Sequence, residues 1–407
     1  MNTPFATGNL PLAGVRVLDL SRVLAGPMCA MALGDLGAEV IKVEHPARGD
    51  DTRDWGKRIG VNNTAYFNSM NRNKQAVGID LQQPQGQRLV RELARKSDVL
   101  VQNFKFGGME KLGLGYDALR AENPGLIYCS ISGYGRDGAE AERPGYDLVV
   151  QGEAGLMALN GAPGQGPLKF GVAVVDLFTG MYSAQAILAA LFERQRTGRG
   201  RHIQMALYDC GLMVTAYYGM EALALGAEPP KYGNDHPTIV PYGVFDAADG
   251  PLVITVGNNA QYQRFCHEVI ARPDLAADAR YATNISRSAH RETLVPELQK
   301  ELRARPRQQL LERLTAAGIP CGEVLGLLQA LQSPRAQQAS LVTRQPLPGG
   351  GGQMPVLAPP YRFDGERAPV RLPPPALGQD TEPVLGGLLN LTPEQIAALK
   401  AEGVVNN

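Results

Sequence analysis

The chain carries no excess charge of either sign: its 407 residues include 40 Lys and Arg against 40 Asp and Glu. That balance excludes the broad basic surface of a nucleic-acid binder and leaves room only for a local basic pocket. Cysteine is sparse. The five present (Cys29, Cys129, Cys210, Cys266, Cys321) are scattered, odd in number and never arranged as C-x-x-C. This points to a reducing compartment and away from a disulfide framework or structural zinc. Cys129 falls in an apolar run that reads as a buried strand, where a free thiol packs rather than reacts. No His/Asp/Glu spacing suits a metal site. Met1 to Leu10 lacks the apolar core of a signal peptide, and no apolar run approaches membrane-spanning length. A cytoplasmic protein with neither membrane nor nucleic-acid partner is expected. The first turn, Val23-Leu24-Ala25-Gly26-Pro27, lacks G-x-G-x-x-G, so a dinucleotide is not the default ligand. Internal repeats are absent.

What is there is alternation. Val15 to Leu20, Ala38 to Glu44, Asp98 to Gln102, Leu126 to Ser132 and Ile203 to Leu207 read as strands. Several are nearly continuous apolar runs, as expected for a parallel sheet covered on both faces. Between them, Met28–Leu36, Pro84–Lys96, Tyr116–Glu122 and Leu177–Arg194 read as helices, with Asp209–Leu225 following the last strand. This pattern predicts a doubly wound α/β domain with right-handed crossovers. Pro229-Pro230 and the segment Tyr232 to Pro237 mark a change of composition. Beyond them, short strands at Val240–Phe245, Leu252–Val256 and Ile319–Val324 enclose several helices, predicting a smaller α+β domain. The expected division is 1–225, 226–325 and a C-terminal segment 326–407. In the last, Gly349 to Gly352 reads as a hairpin tip. Thr392-Pro393-Glu394-Gln395 reads as a helix start with Thr as N-cap and Gln in the capping-box position.

The stretch Gly145 to Gly180 carries the best candidate for chemistry. Asp176 ends a short apolar run and precedes a strongly apolar helix. On local grounds Asp is a favoured N-cap at such a junction. A carboxylate of ordinary pKa is also ionised at pH 7 without help, and can act as a nucleophile when positioned beside oxyanion donors. Local sequence leaves both roles open.

A series of motifs then accumulates in order. They are Gly14 to Ser21, Ala25-Gly26-Pro27, Leu36 to Glu44, Gly49-Asp50, Asn71-Arg72-Asn73-Lys74, Asn103-Phe104, Gly133-Tyr134-Gly135, Gly145-Tyr146-Asp147, Asp176, Thr197 to Gly200 and Leu377 to Thr381. Together they resemble the class III CoA-transferases, the family of formyl-CoA and carnitine CoA-transferases and α-methylacyl-CoA racemases, from about Leu10 to Val405. Asn234 to Gly243 and Val256 to Asn259 are most similar to the members that move CoA between small dicarboxylic acids, such as succinyl-CoA with glutarate or itaconate.

The resemblance implies a Rossmann-like large domain built from both chain ends, a smaller α+β domain inserted between them, and an interlocked ring homodimer. It implies that Asp176 attacks an acyl-CoA thioester, forming an aspartyl mixed anhydride and releasing CoA thiolate. The incoming acid's carboxylate then takes the acyl group, and CoA re-forms a thioester on the new acid through a second aspartyl intermediate. The coenzyme A thioester is a substrate, and no permanently bound cofactor is expected. Racemase relatives carry His directly before the Asp of Tyr146-Asp147. A phenol of reference pKa about 10 is a poor acid/base substitute, which favours transfer over racemisation. A silent CoA-binding protein is the other alternative.

For CoA, the implied contacts are Val23, Leu24 and Ala25, His45, Ile79, Asn103, Phe104, Lys111, Gly145 and Tyr146, with Arg72 and Lys74 as further cations for phosphate. A dicarboxylic substrate needs a cation for its distal end, and Arg53 and His236 are the candidates. The plain alternatives are a local pair of Arg53 with Asp51 or Asp54, and a turn role for His236. Leu24 stands where formyl-CoA transferase has a catalytic Gln, and His45 where it has Arg. The glycine-rich lid loop of that enzyme is not visible around Gly233 to Gly243, and Tyr232 to His236 is expected in its place.

Overall fold

Short apolar runs separated by helices assemble into one parallel sheet. The computed structural model describes residues 10–348 and 350–406. The reading of the N-terminus therefore lies outside the described residues except for Leu10, as does Gly349 of the glycine run. In chain order the elements are β1 (Arg16–Asp19), α1 (Ala25–Asp35), β2 (Glu39–Glu44), α2 (Ala65–Met70), β3 (Gln75–Gly78), α3 (Pro84–Arg95), β4 (Val99–Gln102), α4 (Gly108–Lys111), α5 (Tyr116–Glu122), β5 (Ile127–Ser132), α6 (Asp147–Glu153), α7 (Leu156–Leu159), α8 (Val174–Thr197), β6 (His202–Ala206), α9 (Leu207–Val214) and α10 (Ala216–Leu225). The strand order is β3-β2-β1-β4-β5-β6, and every pairing is parallel. This is the order of a doubly wound sheet, whose direction of winding reverses between β1 and β4.

Successive side chains feed opposite faces of the sheet. Val17, Val99, Val101, Ile127 and Cys129 enter one core with Ala30, Leu33 and Ile187 of α1 and α8. Leu18, Ile41, Val43, Leu100 and Tyr128 enter a second core with Leu89, Val90 and Leu93 of α3. The C-terminal return closes that second face: Val384, Leu385, Ile396 and Val404 join it. Thr381 and Asp380 accept hydrogen bonds from the Gly78 and Ala76 amides at 3.0 and 2.9 Å.

The chain divides into two units. One holds the chain up to Leu156, then Lys169–Ala227 and everything from Pro334. The other holds Met157–Leu168 with Glu228–Ser333; the short piece Met157–Leu168 was not separable in the sequence pattern. Within the second unit, β7 (Tyr242–Ala247), β8 (Gly250–Thr255) and β9 (Cys321–Glu323) form an antiparallel sheet. Its core includes Leu252, Ile254, Phe265, Leu294, Leu298 and Leu310. In the first unit, β10 (Val342–Pro346) and β11 (Gln353–Leu357) pair as a hairpin. Thr392 and Gln395 make both bonds of the capping box before the helix Pro393–Ala401.

Three local expectations are corrected. Helix α8 begins at Val174, not after Asp176, and the residues before it form no strand. The helix expected over Asp209–Leu225 is two helices, broken where Ala216 takes φ +48°. Among the described residues one helix, α8, is long and apolar enough by length and composition to cross a membrane, contrary to the expectation that no run reaches that length. Val175, Ile187, Ala190 and Leu191 of this helix are buried in the first core.

Candidate active site

Ligands of doubly wound sheets settle beyond the carboxyl ends of the strands, where the winding reverses. Here that place lies after β1 and β4. The two loops are clasped there: Asn103 Oδ1 accepts from the Arg22 amide at 2.9 Å and Asn103 Nδ2 donates to the Arg22 carbonyl at 2.8 Å. Val23 then turns through φ +72° into α1. Only glycine fits at position 26, since a Cβ there would lie 2.2 Å from Ser21 Cβ.

Helix α8 is pressed against this turn. A Cβ on Gly180 would approach the Ala25 carbonyl oxygen to 2.7 Å, so glycine permits the contact. Asp176 lies one turn earlier on the same helix face, which brings its carboxylate beside the start of α1. Asp176 is buried, with 9% of its surface exposed. It lines a cavity of about 180 Å³ together with Val23, Leu24, Ala25, Asn103, Phe104, Gly145 and Tyr146. Eight residues singled out in the sequence are thus gathered in one place.

Asp176 does not cap its helix. That task falls to Asp147 at the start of α6: its Oδ1 accepts from the Val175 amide at 2.8 Å and the Asp176 amide at 3.3 Å. Gln151 holds the other oxygen at 2.6 Å and accepts from the Phe170 amide at 2.8 Å. Asp176 is therefore left with its carboxylate unassigned to the helix. Burial, and then the neighbouring Asp147 charge, push its carboxyl up to about 7. The expectation that it is ionised at pH 7 without help is corrected: the buried carboxyl resists ionisation near neutral pH.

A second cavity of about 440 Å³ adjoins the first, sharing Arg22, Asp51 and Phe104 with it. It is lined by His45, Ile79 and Lys111 from the sequence reading, and by Arg48 and Leu112. Lys111 ends α4, and the Arg22 guanidinium lies 5.9 Å from the Phe104 ring centre. His45 Nδ1 accepts from the Ala47 and Arg48 amides at 3.2 and 3.3 Å. Cations beside apolar and aromatic surface are what a phosphorylated, adenine-bearing ligand requires.

Four residues are placed elsewhere. Arg53 is buried and forms a two-pronged pair with Glu44, at 2.7 and 2.6 Å, with its guanidinium 3.6 Å from the Phe67 ring centre. It pairs neither with Asp51 nor with Asp54, and has no face left for a substrate carboxylate. Arg72 is locked to Asp35, and Lys74 to Asp19 at 2.9 Å with both side chains fully buried. Neither lines a cavity with the CoA candidates, because burying an unpaired cation is costly and each has taken a carboxylate instead. His236 lies in the second unit, where Nδ1 accepts from the Thr238 and Ile239 amides at 3.1 and 3.2 Å. Burial and then Arg291 lower its pKa, so it is a neutral turn former and not a cation.

The sequence reading missed Arg22 and Arg48, although both follow the carboxyl ends of strands, where phosphate ligands gather. It also missed Tyr66 on α2. Burial, followed by the fields of Asp176, Asp147 and Asp50, pushes this phenol up to about 12. It stays protonated, within electrostatic reach of the buried carboxylate.

Comparison with known proteins agrees with this geometry. The family model described as CoA-transferase family III matches residues 12–381. A succinate–glutarate CoA-transferase of Agrobacterium fabrum is 44% identical, over 81% of this chain and 84% of its own. A succinyl-CoA:glutarate CoA-transferase of Mus musculus is 38% identical, over 97% of this chain and 90% of its own. The crystal structure of a CAIB/BAIF family protein from Brucella suis superposes with a TM-score of 0.83 at 41% identity, covering 93% of this chain and all of that one. With its motifs gathered around one buried aspartate at the reversal of a parallel sheet, the chain belongs to CoA-transferase family III.

Proposed function

We propose that this enzyme moves CoA from succinyl-CoA to a small dicarboxylic acid, with Asp176 as the covalent nucleophile. The observation that carries the reading is the buried Asp176 carboxylate, freed from capping by Asp147 and set in the cavity that adjoins the cationic one. The names of the relatives support the dicarboxylic substrate class.

The ionised Asp176 oxygen attacks the thioester carbonyl carbon, and the C–S bond breaks. A mixed anhydride forms and CoA leaves as thiolate. The thiolate attacks Cγ of Asp176 and expels the donor acid as carboxylate, leaving an aspartyl-CoA thioester. The acceptor carboxylate attacks the same Cγ and expels thiolate again, giving a second anhydride. Thiolate then attacks the acceptor's acyl carbon, yielding the new acyl-CoA and restoring the Asp176 carboxylate. Direct capture of the donor acyl group by the acceptor would leave no role for a second aspartyl intermediate, so exchange at Cγ replaces it here. Burial favours each collapse by strengthening electrostatic contacts and by keeping water from the anhydride. Neutral Tyr66 and the amides at the start of α1 are the available donors for the developing oxyanion.

Two chains are proposed to act as a pair, in a Rossmann-like large domain arrangement. Helix α10 buries none of its residues within the chain, and Met220, Leu223 and Leu225 are 68%, 81% and 69% exposed. An apolar face of that kind suits a subunit interface. A reducing, cytoplasmic setting is supported by five unpaired cysteines, four of them buried.

The test is incubation with succinyl-CoA and a panel of carboxylic acids, following CoA esters by mass. New acyl-CoA species that vanish in Asp176→Ala support transfer. Epimerisation of a 2-methylacyl-CoA without CoA exchange, or stoichiometric binding without turnover, would overturn it.

A further inference from the structure

The turn that opens the catalytic cavity is held in an unfavourable shape by charge. Val23 takes φ +72°, a left-handed conformation that a β-branched side chain resists. Its amide donates to both carboxylate oxygens of Asp50 at 3.3 Å. Asp50 is itself fixed by the Thr52 amide at 3.0 Å and hydroxyl at 2.7 Å, and by Lys42 Nζ at 2.9 Å. Lys42 also donates to the Ser21 carbonyl at 2.9 Å, and both members of the Lys42–Asp50 pair are fully buried. The approach to the strained residue is thus gripped twice, through its own amide and through the carbonyl two residues before it. Immediately beyond it, Leu24 and Ala25 begin α1 and line the cavity with Asp176.

We infer that Asp50 is a positioning residue for CoA transfer: paired with Lys42, it locks Val23 in the left-handed turn and so fixes the start of α1 against Asp176. The pair makes no contact with the reacting atoms. It acts through the placement of the Leu24 and Ala25 backbone, whose amides open the helix beside the nucleophile. A turn built from glycine would need no such clamp, because glycine adopts this φ without steric cost. With Val23 in place, the geometry depends on a buried ammonium and a buried carboxylate, the latter also capping the turn Asp51–Arg53 and bordering the second cavity.

The inference rests on the proposed transfer reaction, and the experiment separates the two. Lys42→Met/Asp50→Asn removes both charges together, which a fold tolerates far better than loss of one partner. Steady-state transfer from succinyl-CoA is measured alongside a thermal melt. The expected result is a fall in kcat of about 10²-fold with KM for succinyl-CoA changed by less than about threefold. Adding Val23→Gly to that variant restores kcat by about tenfold, because the turn no longer needs its clamp. Thr52→Val keeps both charges and loosens only one bond to Asp50. It gives a smaller fall in kcat, also restored by Val23→Gly, and carries the test if the double variant does not fold. An unchanged kcat, a loss confined to KM, or no recovery with Val23→Gly would overturn the inference. A parent enzyme that transfers CoA to no acid would overturn the functional reading with it.

Discussion

Replacing Asp176 with Asn removes a carboxyl group that the fold makes hard to ionise, and stability should record it. Burial and the Asp147 charge raise this carboxyl from 3.8 to about 7. The sign follows from linkage. In the unfolded chain the group loses its proton near 4, while in the folded chain it keeps it until near 7. The parent enzyme is therefore penalised progressively as pH rises between those values, and the penalty is complete above the folded pKa. At about 1.4 kcal/mol per unit, the full penalty is about 4 kcal/mol. Between about pH 5 and about pH 8, the advantage of Asp176→Asn over the parent should grow by about 2.5 kcal/mol. Urea unfolding of both proteins at equal protomer concentration, at each pH, measures it, since other titrating groups cancel in the difference. A stability difference that stays flat from pH 5 to pH 8 would refute the raised pKa, and with it the claim that the nucleophile is kept partly protonated. The same feature recurs in stability–activity trade-offs, where a strained or desolvated catalytic group is maintained at a cost to the fold.

The pH dependence of kcat/KM should rise through about 7 as Asp176 loses its proton, and Asp147→Asn should move that midpoint downward by removing the like charge. Steady-state rates against pH check both. Arg48→Ala and Lys111→Ala should each raise KM for the acyl-CoA by about fivefold or more with little change in kcat, and the effect should shrink in high salt. Arg53→Ala should destabilise the protein by about 3–5 kcal/mol, because Glu44 is left buried and unpaired, without changing which acid is preferred among folded molecules. Denaturant melts and competition assays between two acceptor acids separate those outcomes.

The scaffold was legible because its signals are local. Helix α5 falls on the expected Tyr116–Glu122, and the ends of the expected strands fall within two residues of the observed ones, whereas β3 (Gln75–Gly78) was not anticipated. The Thr392 capping box forms because all its partners lie within one turn. The resemblance marked Asp176 and seven of the residues that share its cavity. What could not be read depends on contacts distant in sequence. The amides at the start of α8 are taken by Asp147, 28 residues before Val175. Nothing next to Asp176 records that competition, so on local grounds capping looked the better reading. The fate of the cations was hidden for a related reason. Arg72 and Lys74 look like phosphate ligands by composition, and Arg53 like a partner for a substrate carboxylate. Each is drawn inward by a buried acid, Glu44, Asp35 and Asp19, on a neighbouring strand or helix. Arg22 and Arg48, with no buried acid to claim them, remain at the cavity wall.

In the proposed reaction Asp176 itself becomes an activated acyl group during transfer. Hydroxylamine added during turnover with succinyl-CoA and glutarate captures such a group, and peptide mass spectrometry locates it. A hydroxamate is expected at Asp176, appearing only when succinyl-CoA is present. Sustained formation of the new acyl-CoA with Asp176 unmodified, or with modification at another carboxylate, would contradict it.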